Sequence, residues 1–236
     1  MDTSTLENLE QLHLLLRAYR SHNGAGSWFR GQANIDWKLI PKAGREEYSL
    51  PNHRDLGRFY DWEQQAIAYR ELPESWIESL ALAQHHGLAT RLLDWTKNPL
   101  VAAYFAVSTE PSFDGAIYIL EPFETFITDD ITKEQLINFN GVACYLPRSI
   151  SPRLLNQQGM FTVHSPANSE IKVNKSRLFT EHTNIKKIII PHALKKELED
   201  MISDYGINSS MIFPDLDGLS QQKNRDTESI VMRKKT

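Results

Sequence analysis

Thr90-Arg91-Leu92-Leu93-Asp94-Trp95-Thr96-Lys97-Asn98-Pro99-Leu100-Val101-Ala102-Ala103-Tyr104-Phe105-Ala106-Val107 is the stretch whose reading decides the fold. Its first part, Thr90 to Asp94, reads as an extended strand. Asn98-Pro99 then starts a helix: Asn98 can cap it, and Pro99 takes the first position, where a missing N–H costs no hydrogen bond. Leu100 to Val107 is apolar nearly all round, which predicts a buried helix. Asp94-Trp95-Thr96 lies at the junction, where free backbone N–H groups and the positive end of the helix dipole suit an anion. Alternatively, Asp94 or Thr96 simply satisfies those N–H groups, and Trp95 is either a stacking surface for a flat ring or part of the core.

Working outward, Trp28-Phe29-Arg30-Gly31-Gln32 reads as an aromatic strand interrupted by an arginine, and Trp37 to Pro41 as a second short extended piece. Ala116 to Leu120, Met160 to His164 and Lys187 to Ile190 are further strands, the second half-buried by its alternation. Apolar spacing predicts helices over Glu7–Tyr19, Asp55–Glu71, Glu74–His86 and Ala193–Tyr205. In the last of these Leu194, Leu198, Met201, Ile202 and Tyr205 face inward and Lys195, Lys196, Glu197 and Glu199 outward. Phe123 to Asn140 reads as peripheral, and the polar stretch Gln221 to Thr236 as a fraying tail. No repeat or linker-like stretch divides the chain. The expected fold class is α+β: one domain with a split, mostly antiparallel sheet flanked by helices.

Composition narrows the function. Of 236 residues, 41% are hydrophobic and 24% charged, enough apolar material for a sizeable core. A net charge of -4 excludes a protein that is basic over its whole surface, leaving room for a local basic groove. Pro99 to Val107, the longest apolar run, is far short of the ~20 residues of a membrane span. The first residues carry neither a basic flank nor an apolar signal segment, so a soluble, cytoplasmic protein with no membrane partner is expected.

The chemistry-bearing residues are few. Arg30 within a buried run must be paired, because a lone buried guanidinium costs several kcal/mol. Its partner is Asp36, Asp94 or Asp215, or else it faces a cleft and holds a phosphate or ribose, with Gly31 letting the ligand approach. His85-His86 have no Cys, His or Asp partner at ligand spacing, so no metal is expected, and Gln84 and His85 read as local hydrogen-bonding groups. Cys144 lacks a neighbouring base, and there is neither a Gly-x-Ser-x-Gly elbow nor a phosphate-binding glycine loop.

These pieces resemble the FRG domain family through Phe29-Arg30-Gly31, Trp37 to Pro41, Leu82 to Pro99, Asp114 to Tyr118, Asn156 to Phe161 and Phe213 to Gly218. The resemblance implies an N-terminal helix over 1–26 packed on an FRG domain over 27–220, with a polar C-terminal tail over 221–236. The order of the pieces is also similar to the arginine class of ADP-ribosyltransferases. There, a first-strand arginine grips NAD, a Ser-Thr-Ser strand builds the nicotinamide pocket, and a glutamate orients the ribose. Arg30 matches the first, Asp94-Trp95-Thr96 stands at the second with only Thr96 alike, and Asn156-Gln157-Gln158 stands where Glu-x-Glu would.

The resemblance implies catalytic roles for Arg30, Asp94 and Gln157, and NAD binding by Arg30, Gly31, Gln32, Trp95, Thr96 and Phe161. It implies NAD as substrate, no metal, and an ADP-ribosyltransferase-like fold. Gln157 keeps a hydrogen bond and loses a charge, so another carboxylate, Asp94 or Glu170, must face the ribose, or the enzyme is slow or inactive; Gln157→Glu is expected to be tolerated or activating. The function implied is a bacterial toxin or antiphage effector modifying nucleic acid (RNA or DNA) or protein, with an antitoxin or chaperone partner. Trp28, Trp37 and Trp95 with Lys38, Lys42 and Arg45 would suit an unpaired base. A non-catalytic nucleotide-binding or protein-interaction module is the second reading. A nuclease using Asp215 and Asp217 is the third.

Overall fold

Helix α4 (Pro99–Val107) lies so close to strand β2 (Trp28–Gln32) that a Cβ on Gly31 would sit 1.8 Å from the Ala102 carbonyl oxygen. Glycine is required there by helix-on-sheet packing, a demand on Gly31 separate from the ligand approach expected of it. The computed structural model describes residues 2–18, 26–122, 125–148, 151–171 and 185–233. Tyr19, the end of the first expected helix, lies outside them.

Among the described residues, eight strands form one open, mixed sheet flanked by helices, an α+β architecture. The strands are β1 (Asp2–Thr5), β2, β3 (Leu92–Thr96), β4 (Gly115–Leu120), β5 (Phe126–Ile127), β6 (Gly141–Tyr145), β7 (Gly159–Ser165) and β8 (Ile185–Ile190). Their order is β1-β8-β4-β2-β3-β7-β6-β5. The edge pairs β1/β8 and β5/β6 are parallel and the interior pairs antiparallel. The expected split is therefore a seam in a continuous sheet: β2 and β3 share one register pair, Phe29 with Thr96, while each pairs along its whole length with its other neighbour.

Alternation fixes the faces. Phe29, Gly31, Leu92, Asp94, Thr96 and Phe161 share one face through the register, and helices cover it in two groups. On one side of the seam α1 (Leu9–Ala18), α4, α7 (His192–Asp204) and α8 (Ser209–Ile212) bury Phe29, Ile117, Ile119 and Ile188. On the other side α2 (Arg54–Ala66), α3 (Trp76–His85) and α5 (Lys133–Phe139) bury Leu92, Tyr145, Phe161 and Val163. The opposite face carries Trp28, Leu93, Trp95, Tyr118 and Met160.

Several sequence expectations are corrected. The strand expected over Thr90–Asp94 is shifted to Leu92–Thr96, because Thr90 and Arg91 make side-chain bonds that hold α3 and α2. Trp37–Pro41 is irregular, leading into a 3-10 turn at Lys42–Gly44. Helix α2 ends at Ala66, leaving Tyr69 89% exposed. Within the span read as peripheral, Phe126–Ile127 joins the sheet and Leu136 is fully buried; Phe123 lies outside the described residues. The β7 strand is buried on both faces, so its polar residues bond one another.

Two corrections concern the helix expected over Ala193–Tyr205. Lys195, expected outward, is 3% exposed, and its Nζ donates to the carbonyls of Ala33 (2.6 Å), Glu110 (2.8 Å) and Thr109 (3.1 Å). Tyr205, expected inward, is exposed. The described part of the stretch expected to fray, up to Arg233, belongs to α9 (Leu216–Arg233), and 234–236 lie outside the described residues. Gln222 accepts from the Ser209 N–H, and Arg225 pairs with Glu199 and donates to the Ser108 carbonyl at 3.1 Å. A polar sequence alone does not reveal such docking, because its anchors are hydrogen bonds to distant elements.

Candidate functional site

The two helical groups part above the seam and leave a cleft of about 560 Å³. Phe29, Gly31, Asp94, Thr96 and Phe161 contribute to its sheet side, with walls from α3, α4, α6 (Pro152–Asn156) and the start of α9. Arg30, Gln32, Trp37, Lys42 and Arg45 lie at the β2 end.

Arg30 is the group that closes the seam. Its Nη1 donates to the Asp94 carbonyl at 2.8 Å, and the Asp94 carboxylate lies 3.7 Å away. Burial pulls the Arg30 pKa below the ordinary arginine value, with Asp94 opposing the shift and Arg45 adding to it. Arg30 Nε and Gln32 Oε1 are buried without a hydrogen-bond partner among the described residues.

The Asp94 side chain is 63% exposed and is held from α3. Gln84 Nε2 donates to Asp94 Oδ1 at 2.7 Å, while Gln84 Oε1 accepts from the Thr90 hydroxyl, which sets the orientation of the amide. Sequence reading treated Gln84 as a local hydrogen-bonding group; its partner is the carboxylate of the candidate site. Glu170, the other carboxylate considered, does not line the cleft.

The remaining candidates are placed as follows. Thr96 lines the cleft, but its hydroxyl donates to the Gln157 carbonyl at 2.5 Å and accepts from the Asn98 N–H at 3.0 Å. Asn98 caps α4 through the Leu100 N–H, so Thr96 and Asn98 supply the satisfaction of N–H groups weighed above. Gln157 Nε2 donates to the Ile212 carbonyl at 3.0 Å, and Asn156 Nδ2 to the Met211 carbonyl at 3.0 Å, together tethering α8. Phe161 stacks on Tyr145 below the cleft. The Trp95 indole lies in the opposite-face core, with Nε1 donating to Thr162 Oγ1 at 3.1 Å. Trp28 is in the same core, so of the three tryptophans considered for stacking only Trp37, at 43%, is exposed.

Beside the cleft, Arg153 of α6 lies over the Phe213 ring, 4.7 Å from its centroid. No sequence signal marked Arg153, because its position depends on how α6 and α8 meet. His85 also lines the cleft, its pKa lowered first by burial and then by Arg153. Among the described residues no group of three His, Cys, Asp or Glu could hold a metal ion, and no helix is long and apolar enough to cross a membrane. Asp215 accepts from the Gly218 N–H at the start of α9.

Residues 25–115 match the family model of the FRG domain, a span running from just before β2 to the first residue of β4. Over that span the chain is similar to the FRG domain; the match contains Arg30, Gln84 and Asp94 and stops short of Gln157. Comparison with curated proteins gave no match, and comparison with solved structures gave none.

Proposed function

We propose that the cleft binds NAD and transfers its ADP-ribose unit, as an ADP-ribosyltransferase-like fold would. The observation that carries this reading is the carboxylate of Asp94, held by Gln84 in the cleft beside the buried Arg30 at the seam. The volume lies within the ~300–1,000 Å³ of small-molecule sites.

In this reaction the bond between nicotinamide nitrogen and ribose C1′ breaks, and nicotinamide leaves with the bonding pair. Positive charge develops on C1′ and the ring oxygen, and Asp94 faces it as the fixed negative group. Arg30 orients the substrate through the part of its guanidinium that stays accessible, while its Nη1 keeps the seam closed. A nucleophile of the acceptor, on nucleic acid or protein, then bonds to C1′ and gives up its proton to solvent. Gln157 acts only indirectly, since its amide already holds the Ile212 carbonyl.

Nicotinamide release from NAD by the purified protein, without added metal, tests the reading. Release that disappears in Asp94→Asn is expected. Tight NAD binding with no release would instead favour the second reading, a non-catalytic nucleotide-binding module, which the engagement of Gln157 by Ile212 also favours.

A further inference from the structure

Five cations line the cleft on β2, the loop after it, α6 and α9: Arg30, Lys42, Arg45, Arg153 and Arg225. Three of them have polar partners. Arg30 is bonded to Asp94, Lys42 Nζ donates to the Gly87 carbonyl at 3.4 Å, and Arg225 is paired with Glu199. Arg45 lies within electrostatic range of Arg30 and belongs to the same end of the cleft. Arg153 differs from all of these. It comes from the opposite flank of β3, since α6 leads into β7, which pairs with the edge of β3 away from β2.

The Arg153 guanidinium is supported by Phe213, and among the described residues it makes no hydrogen bond or ion pair. Asp94 and Asp215 act on it only at a distance. Stacking on an aromatic ring uses the flat face of a guanidinium and leaves its edge donors free. A half-buried cation with free donors is costly when empty and well suited to a bidentate acceptor. His85, at the end of α3, lines the cleft as well and offers a ring N–H, and Arg153 acts on it electrostatically.

We infer that Arg153 of α6, with His85 of α3, forms an anion subsite in the cleft, and that it takes a phosphate or pyrophosphate group of the ligand. The proposal rests on the nucleotide reading only for the identity of that ligand, because the subsite itself would hold any small phosphate.

Calorimetric titration of the full chain with inorganic pyrophosphate tests it. Saturable binding, weakened about tenfold or more in Arg153→Gln and less in Arg153→Lys, is expected, with competition by ADP-ribose. Melting curves of both variants without ligand, unchanged from the parent, keep a folding defect from imitating the result. Absence of pyrophosphate binding to the parent protein, or equal binding by a folded Arg153→Gln, overturns the subsite. Pyrophosphate binding through Arg153 in a protein that neither binds NAD nor releases nicotinamide overturns the NAD reading and leaves the subsite standing.

Discussion

Arg30 is bound to the main chain of Asp94 more closely than to its side chain: Nη1 is 2.8 Å from the carbonyl oxygen and 3.7 Å from Oδ2. The two residues lie on strands that share a single register pair, so the guanidinium supplies a cross-strand link where the ladder does not. The carboxylate consequently stays exposed, with Gln84 as its hydrogen-bonded partner.

Because the main-chain link survives the change, Asp94→Asn is expected to leave the fold intact, within about 0.5 kcal/mol. Gln84 can still donate to the asparagine oxygen. Nicotinamide release should fall ~100-fold or more, the scale of one lost electrostatic contact to a transition state, with little change in NAD affinity. Equal loss of affinity and turnover would assign Asp94 to binding instead.

Arg30→Ala removes a seam contact as well as a ligand group. It should lower stability by about 1–3 kcal/mol, the range for a lost charged hydrogen bond, and abolish nucleotide binding. Denaturant melts and NAD titration of the same sample separate the two effects. A fully stable variant would show that the seam does not depend on the arginine.

Gln157→Glu, which the resemblance expects to be tolerated or activating, is expected from the structure to destabilise. The substitution loses the donor to the Ile212 carbonyl and puts a negative charge beside that oxygen. The cost should be about 1–3 kcal/mol at pH 7 and should shrink below about pH 4, where the introduced carboxyl is protonated and can donate again. Melting temperatures measured across that range decide the point.

His164 gives the fold a pH dependence. It is buried, its Nε2 accepts from Thr162 Oγ1 and its Nδ1 donates to the Ser169 carbonyl, an arrangement that suits neutral imidazole. Burial lowers its pKa from 6.5 to about 4. The unfolded chain therefore binds the extra proton first as pH falls. The stabilising contribution is complete above pH 6.5 and is lost as pH falls toward about 4, amounting to roughly 3 kcal/mol. Unfolding titrations in that window should show the slope in the parent protein and a smaller one in His164→Gln.

Arg91 and Asp55 form a fully buried pair, Nε to Oδ2 at 2.8 Å and Nη2 to Oδ1 at 2.7 Å, joining the residue before β3 to the first turn of α2. Asp55→Ala leaves the guanidinium buried and uncompensated, so a loss of about 3–5 kcal/mol is expected. Chemical denaturation measures it directly, and a loss below 1 kcal/mol would mean that water or His53 takes over the partnership.

The amino-acid sequence by itself determined the local elements around the site. Asn98 and Pro99 start α4 through a side-chain cap and a fixed φ, and the apolar run to Val107 makes that helix a buried one. Strand tendencies at Trp28–Gln32 and Ala116–Leu120 are equally local, as are the motifs within residues 25–115 that match the FRG domain. Only the tertiary structure decided how those elements face one another. Whether the Trp95 indole enters the cleft or the core behind it depends on the β3 register, and a slip of one residue would exchange the two faces. Gln84 finds Asp94, Arg153 finds Phe213, and Arg225 finds Glu199 across chain separations that no local pattern encodes. The seam is the clearest case: Arg30 and Asp94 are 64 positions apart, and their contact exists because helices packed on either side of β2 and β3 hold two strands together that share only one pair of their own.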